Sequence, residues 1–124
     1  MIDFSNAIFL KLKPVDTAVF IDWITPMLIP GERALLAYQS VRDGIVFTDK
    51  RIIAIDVQGL TGKKKDFSSL PYNRIQAFSV ATAGNMELDS ELDLWFSGLG
   101  QVTFEFDAQA DATAICRMIS ERVL

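Results

Sequence analysis

The 124-residue chain carries 12 Lys and Arg against 16 Asp and Glu, no histidine and a single cysteine, and half of its residues are apolar. That length makes one domain, able to bury roughly two-thirds of its unfolded surface without staples. The net charge of −4 argues against nucleic acid as a partner, the missing histidine removes the commonest general base and metal ligand, and one cysteine allows no internal disulfide.

In chain order, Phe4, Ile8, Phe9 and Leu12 make a short helical stripe that Pro14 ends. Pro14-Val15-Asp16 then reads as a helix start, and Val19, Phe20, Trp23 and Ile24 give that helix an apolar face. Pro26 and Pro30-Gly31 stop it, so residues 1–30 are expected to form an N-terminal helical extension. Strands follow from Leu35 to Val41, Ile45 to Asp49 and Arg51 to Val57. The Arg42-Asp43-Gly44 turn is expected to use a positive φ at its Asp-Gly step.

Gln58-Gly59-Leu60-Thr61-Gly62 is a glycine-rich turn leading into Lys63-Lys64-Lys65-Asp66-Phe67. Pro71-Tyr72-Asn73 marks a loop or short helical turn, and Ile75 to Ala83 is the next strand. The last hairpin, Glu91 to Ser97 and Gln101 to Asp107, alternates cleanly: Leu92, Leu94, Phe96, Val102, Phe104 and Phe106 lie on one face. Asp111 opens a final helix with Ala112, Ile115, Cys116, Ile119 and Val123 on one side. The layout is mainly β: about seven antiparallel strands in a small barrel or roll closed by one helix. Ile52 to Ile55 are apolar on both faces, so that strand should be covered twice, by the N-terminal helices or by a neighbouring subunit.

Charge is uneven. Residues 1–84 carry ten basic against eight acidic side chains, and residues 85–124 carry two against eight. A two-signed molecule can dock on its own copies. The mean hydropathy of +0.25 is high for a small domain, and the surplus must be covered by core, subunit or membrane. The apolar stretches fall short of a membrane span, no basic leader precedes the first of them, and a cytoplasmic chain with a reduced cysteine is expected.

A set of motifs carries a resemblance: Arg42-Asp43, Phe47-Thr48-Asp49-Lys50-Arg51-Ile52-Ile53, Gln58-Gly59-Leu60-Thr61-Gly62-Lys63-Lys64, Leu70-Pro71-Tyr72, Phe78-Ser79-Val80 with Thr82-Ala83-Gly84, and Glu91-Leu92-Asp93-Leu94-Trp95 with Ser97-Gly98. In joint order and spacing they resemble the bacterial pleckstrin-homology (PH-like) domain family, from about Leu28 onward. The resemblance implies a PH-like domain over 31–124, with a seven-stranded bent sheet capped by the C-terminal helix. It also implies ring-like homo-oligomers and an uncharacterised cellular role. Phosphoinositide-binding PH domains cluster basic residues at the first hairpin loop. Here Arg42 and Asp43 cancel, so that activity is not carried over.

The candidate functional residues are few. Cys116 is expected to be a core residue, since no base is available to activate it. Glu87, Asp89, Glu91 and Asp93 alternate on one strand face, as a hard-cation site would require. A solvated acidic edge that blocks aggregation is the favoured reading. Lys63, Lys64 and Lys65 form a candidate anion-binding or lipid-headgroup loop, with a plain solvated turn as the alternative. Trp95 points outward, as a contact anchor or as packing for Phe20 and Trp23. Phe4, Phe9, Phe20 and Trp23 could instead face a membrane. No nucleophile–base pair, cofactor motif or metal-ligand set is present, so no enzyme and no cofactor are expected. The expectation is a non-enzymatic module that binds itself. Trp95, Glu91, Asp93 and Arg74 are its candidate interface, with Lys63 to Lys65 and Arg74 facing the acidic 87–93 segment of a neighbour. Other proteins are further partners, and peripheral membrane binding is the alternative.

Overall fold

Alternating β-branched and aromatic residues favour strands over helices. The computed structural model describes residues 1–5, 9–82 and 89–124, and within them eight strands and two α-helices form. The order is β1 (Lys13–Val15), α1 (Ala18–Ile24), β2 (Ala34–Gln39), β3 (Gly44–Thr48), β4 (Arg51–Gln58), β5 (Lys64–Pro71), β6 (Ile75–Ala81), β7 (Ser90–Phe96), β8 (Gly100–Phe106) and α2 (Ala112–Val123). All strand pairs are antiparallel, in a five-stranded sheet β1-β2-β3-β4-β5 and a three-stranded sheet β6-β7-β8. The mainly β architecture with a terminal helix is as the sequence predicts. The barrel is not closed: no ladder joins β5 to β6 among the described residues. Pro71 ends β5, and a 3-10 turn over Tyr72–Arg74 carries the chain to the second sheet.

The main core lies between the sheets. Ile45, Phe47, Ile52 and Ala54 of the first meet Leu92, Leu94, Val102 and Phe104 of the second, with Ile115 and Ile119 of α2 closing one side. Asp111 caps α2, its Oδ1 accepting from the Ala114 N–H at 3.0 Å. A second apolar layer lies on the other face of the five-stranded sheet, where Phe20 and Ile24 of α1 cover Val46, Ile53 and Ile55. The double coverage expected for Ile52 to Ile55 is therefore supplied within one chain. This also overturns the membrane-facing reading of the early aromatics. Phe9 and Phe20 are buried, Phe4 and Trp23 are half-buried, and Phe9 meets the Phe104 ring edge-on at 5.4 Å.

The N-terminal stripe is not a helix. Ile8 lies outside the described residues, Phe4 and Ser5 sit in a turn, and Phe9 to Leu12 run extended along β8. The Leu12 N–H donates to the Glu105 carbonyl at 2.9 Å, and the Glu105 N–H donates to the Phe9 carbonyl at 3.0 Å. At the very next residue the chain pairs with β2, Lys13 opposite Gln39. One extended segment thus sews the second sheet to the first. A short helix would leave both edges without partners. Plain alternation would send Phe9 and Leu12 to opposite faces. Lys11 at φ 55° supplies the kink that lets both be buried. Pro14 does not open a helix but sits in edge strand β1, where a missing N–H costs nothing. The helix starts later, at Ala18, whose N–H is held by Asp16 Oδ1 at 2.8 Å.

Two further corrections fall in the first hairpin. β2 ends at Gln39 instead of running on to Val41, which is 96% exposed in the loop. The Ser40 N–H turns back to the Asp43 carbonyl at 2.9 Å and stops the ladder there. Gly44 is not among the glycines with positive φ. Its role is close approach: a Cβ at this position would overlap the Phe20 ring and lie 2.9 Å from the Tyr38 carbonyl. The glycine is the seat on which α1 docks.

A buried ion pair fastens the segment between α1 and β2. Glu32 has a fully buried side chain and receives Arg51 Nε on Oε2 and Nη2 on Oε1, both at 2.9 Å. Thr48 Oγ1 donates to the same carboxylate at 2.6 Å, and Arg51 Nη2 also reaches the Met27 carbonyl at 2.9 Å. Burial alone would raise the Glu32 pKa. Hydrogen bonds from Arg51, Thr48 and the Ile29 N–H outweigh it and hold the carboxyl below its ordinary value.

Candidate functional site

The features that differ from ordinary surface are one sheet edge, the outer face beside it and one loop end. On the outer face of the three-stranded sheet, Trp95 lies between Ala77 and Gln101, Asp93 between Ser79 and Thr103, and Glu91 between Ala81 and Glu105. Trp95 is 39% exposed. It does not pair with Phe20 and Trp23, whose rings meet edge-on at 5.6 Å on the far side of the other sheet. Asp93 is engaged at home, its Oδ1 accepting from Thr103 Oγ1 at 2.6 Å and Gln101 Nε2 at 3.1 Å. Glu91 and Arg74 are exposed and make no ion pair among the described residues.

The acidic ladder divides. Glu87 lies outside the described residues. Asp89 pairs with Lys11, and its hydrogen bond to that ammonium holds the carboxyl below its ordinary value. Glu105, opposite Glu91, is pushed up by burial and by the Asp89 charge. Among the described residues no three such side chains come together as a metal-binding group.

The four sheet-edge strands are not alike. β1 carries Lys13 and Pro14, both residues that discourage pairing. β5 carries Lys64, Lys65 and Asp66, with the N-terminal amine 3.1 Å from Asp66 and the Ile2 N–H on Ser68 Oγ at 3.0 Å. β8 is covered by Phe9 to Leu12. β6 has no charged residue and no proline, and it ends the order β6-β7-β8. Its one irregularity lies between Ile75 and Ala77, leaving Ala77 to Ala81 in regular register with β7. Phe78 and Val80, on its inner face, are only half-buried.

At one end of the five-stranded sheet, the loop after β2 and the loop after β4 are tied together. Arg42 donates to the Gly59 carbonyl at 2.7 Å and the Val57 carbonyl at 2.9 Å, and Asp43 Oδ1 accepts from the Val57 N–H at 2.8 Å. Burial raises the Asp43 carboxyl, against the opposing effect of that N–H. Of the basic run, Lys65 is committed. Its ammonium lies 4.6 Å from the Trp23 ring centroid and donates to the Gly62 carbonyl at 3.1 Å. Lys63 and Lys64 are exposed. Sequence reasoning missed Val41 and Leu60, which stand fully exposed on these two loops. Leu60 was legible as an aliphatic between two turn glycines, whereas Val41 was hidden by being read as strand.

The comparisons with known proteins fit this architecture. A family model described as "Bacterial PH domain" matches residues 3–123. The uncharacterized protein YjqA of Bacillus subtilis (strain 168) is 42% identical over 122 residues, spanning 91% of this chain and 98% of the relative. The crystal structure of a DUF1696 family protein with a pleckstrin-homology domain from Shewanella loihica PV-4 is similar, with a TM-score of 0.81 and 37% identity over 93% of this chain and 99% of that one. A pleckstrin homology domain from Shewanella amazonensis SB2B matches with a TM-score of 0.69 and 41% identity, covering 89% of this chain and 90% of that one. With a model match spanning nearly all of its length, the chain belongs to the bacterial PH domain family.

Proposed function

We propose that this PH-like domain is a non-catalytic binding and scaffolding module that assembles with copies of itself, and that the free edge of β6 is where copies meet. The observation that carries this reading is the contrast among edges: three strands are charged, proline-bearing or paired along their edge, whereas β6 has neither charge nor proline and no further strand pairs with it among the described residues. Natural sheets rarely leave such an edge without protection unless something pairs with it. A neighbouring strand would also cover the open sides of Phe78 and Val80. Arg74 precedes the strand, and Glu91 stands opposite Ala81 at its far end. Their free charges would set register, while Asp93 and Lys65 are already engaged within the chain. A cytoplasmic setting suits the single cysteine, Cys116, half-buried on α2.

Light scattering after size exclusion tests this. The protein is expected to run as a defined oligomer at micromolar concentration. Ala77→Lys with Ala81→Lys places two cations at the edge on exposed positions and should yield a folded monomer. A wild-type monomer, or an oligomer that the double variant leaves intact, rules out the β6 edge.

A further inference from the structure

We propose that the open pocket between the β3–β4 turn, the 3-10 turn after β5 and the last turn of α2 binds a small organic monocarboxylate on the guanidinium of Arg122. The cavity measures about 360 Å³, within the usual size of small-ligand sites, and is lined by Asp49, Lys50, Pro71, Tyr72, Asn73 and Arg122. It lies at the other end of the strands from the loops after β2 and β4. Its walls are fixed. Tyr72 Oη donates to the Thr48 carbonyl at 2.7 Å and ties the 3-10 turn to the β3–β4 turn. Within that turn, Thr48 Oγ1 accepts from the N–H groups of Lys50 and Arg51 at 3.1 and 3.0 Å.

Arg122 supplies the binding edge. Its Nη1 serves its own helix end, donating to the Met118 carbonyl at 3.1 Å, with Glu121 Oε2 at 3.7 Å from the same nitrogen. The other edge of the guanidinium, Nε with Nη2, makes no hydrogen bond among the described residues, and Nε is also shut off from water. A buried donor without an acceptor is costly. That edge is a planar fork whose two N–H groups match the two oxygens of a carboxylate. The side chain is 22% exposed, and a small turn of the guanidinium brings the fork to the pocket. Charge decides the kind of anion. Lys50 is exposed and has no ion-pair partner among the described residues. Asp49 is the acid of the lining, and the Arg33 N–H on its Oδ1 at 2.9 Å holds its carboxyl below the ordinary value. Two cationic side chains against one carboxylate leave a single positive charge, which suits a monoanion better than a dianion. Pro71 and Tyr72 give the carbon skeleton an apolar wall, and the Asn73 amide adds a donor.

NMR titration of the isotope-labelled full chain with benzoate tests the proposal. Saturable shifts are expected at the backbone amides of Lys50 and Asn73 and at the Arg122 Nε–H, with a millimolar Kd. Sulfate, a dianion, should bind at least about fivefold more weakly. Arg122→Lys keeps the charge but removes the fork, and should weaken benzoate binding at least about tenfold. Lys50→Ala removes a cation at an exposed position, and should weaken binding while the thermal melt stays in place. The proposal fails if benzoate produces no saturable shift at the Arg122 Nε–H. It also fails if sulfate binds as tightly as benzoate, or if either variant binds benzoate as tightly as the wild type.

Discussion

Arg51→Met is expected to destabilise the domain by about 3–5 kcal/mol in urea unfolding, the usual result of leaving a buried charge without its partner. The Glu32 side chain has no solvent contact, and Arg51 supplies two of its charge-assisted hydrogen bonds in a bidentate pairing. The loss also reaches beyond the pair. Arg51 links the Met27 carbonyl and, through Nη1 at 2.9 Å, Ser69 Oγ, so it joins the 3-10 turn after α1 and strand β5 to the hairpin. The double variant Glu32→Gln, Arg51→Met should recover part of the loss, because removing both charges also removes the desolvation penalty. If it recovers nothing, the unpaired carboxylate is not the cause.

The same pair predicts an acid response. The folded-state pKa of Glu32 is depressed, so its contribution is fully present above the ordinary glutamate value. It fades as pH falls through the lower folded-state value. In Arg51→Met the hydrogen bonds and charge of Arg51 are lost, leaving only Thr48 and the Ile29 N–H to oppose burial, so the depression shrinks and acid unfolding should begin at higher pH. Equal acid midpoints for the two proteins would assign the transition to other carboxylates.

Phe20→Ala should cost about 3–5 kcal/mol, the range for deleting a fully buried aromatic ring. The ring rests on Gly44, stacks edge-on with Trp23 and shields Val46, Ile53 and Ile55. Without it, the outer face of the five-stranded sheet is open to water. Gly44→Ala alone should cost about 1–3 kcal/mol through overpacking. Combined with Phe20→Ala it should add less than its single-variant cost, because the ring it clashes with has gone. Strict additivity of the two losses would mean that the Tyr38 carbonyl, not the ring, sets the demand for glycine. These two sites hold α1 against the sheet, so both variants should also expose apolar strand surface and aggregate on partial unfolding.

The resemblance and the local patterns anticipated the PH-like fold for definite reasons. Alternation in Leu92 to Phe96 and Val102 to Phe106 marks a half-buried hairpin, and the doubly apolar Ile52 to Ile55 marks a strand covered on both faces. The stripe behind Asp111 marks a capped helix. Each of these is written in neighbouring residues, because side-chain period is a local property. Parts of the candidate surface were visible for the same reason: Trp95 alternates outward, and three lysines in a row are plain to see.

What tertiary structure decided is everything that depends on a partner distant in sequence. Phe9 to Val15 read as helix and proline start, yet they run extended because the edges of β8 and β2 needed hydrogen bonds. Gly44 read as a turn residue, yet it is demanded by a ring that arrives from α1. Lys65 looked equivalent to Lys63 and Lys64 until Trp23 packed beneath it. Asp93 looked as free as Glu91 until Thr103 reached it across the hairpin. The edge of β6, which no further strand pairs among the described residues, and the paired tips at Val41 and Leu60 belong to this second kind. Composition and periodicity determine which residues prefer to be strand, helix or core, but only the assembled sheets determine which edge and which apolar side chains are left without cover.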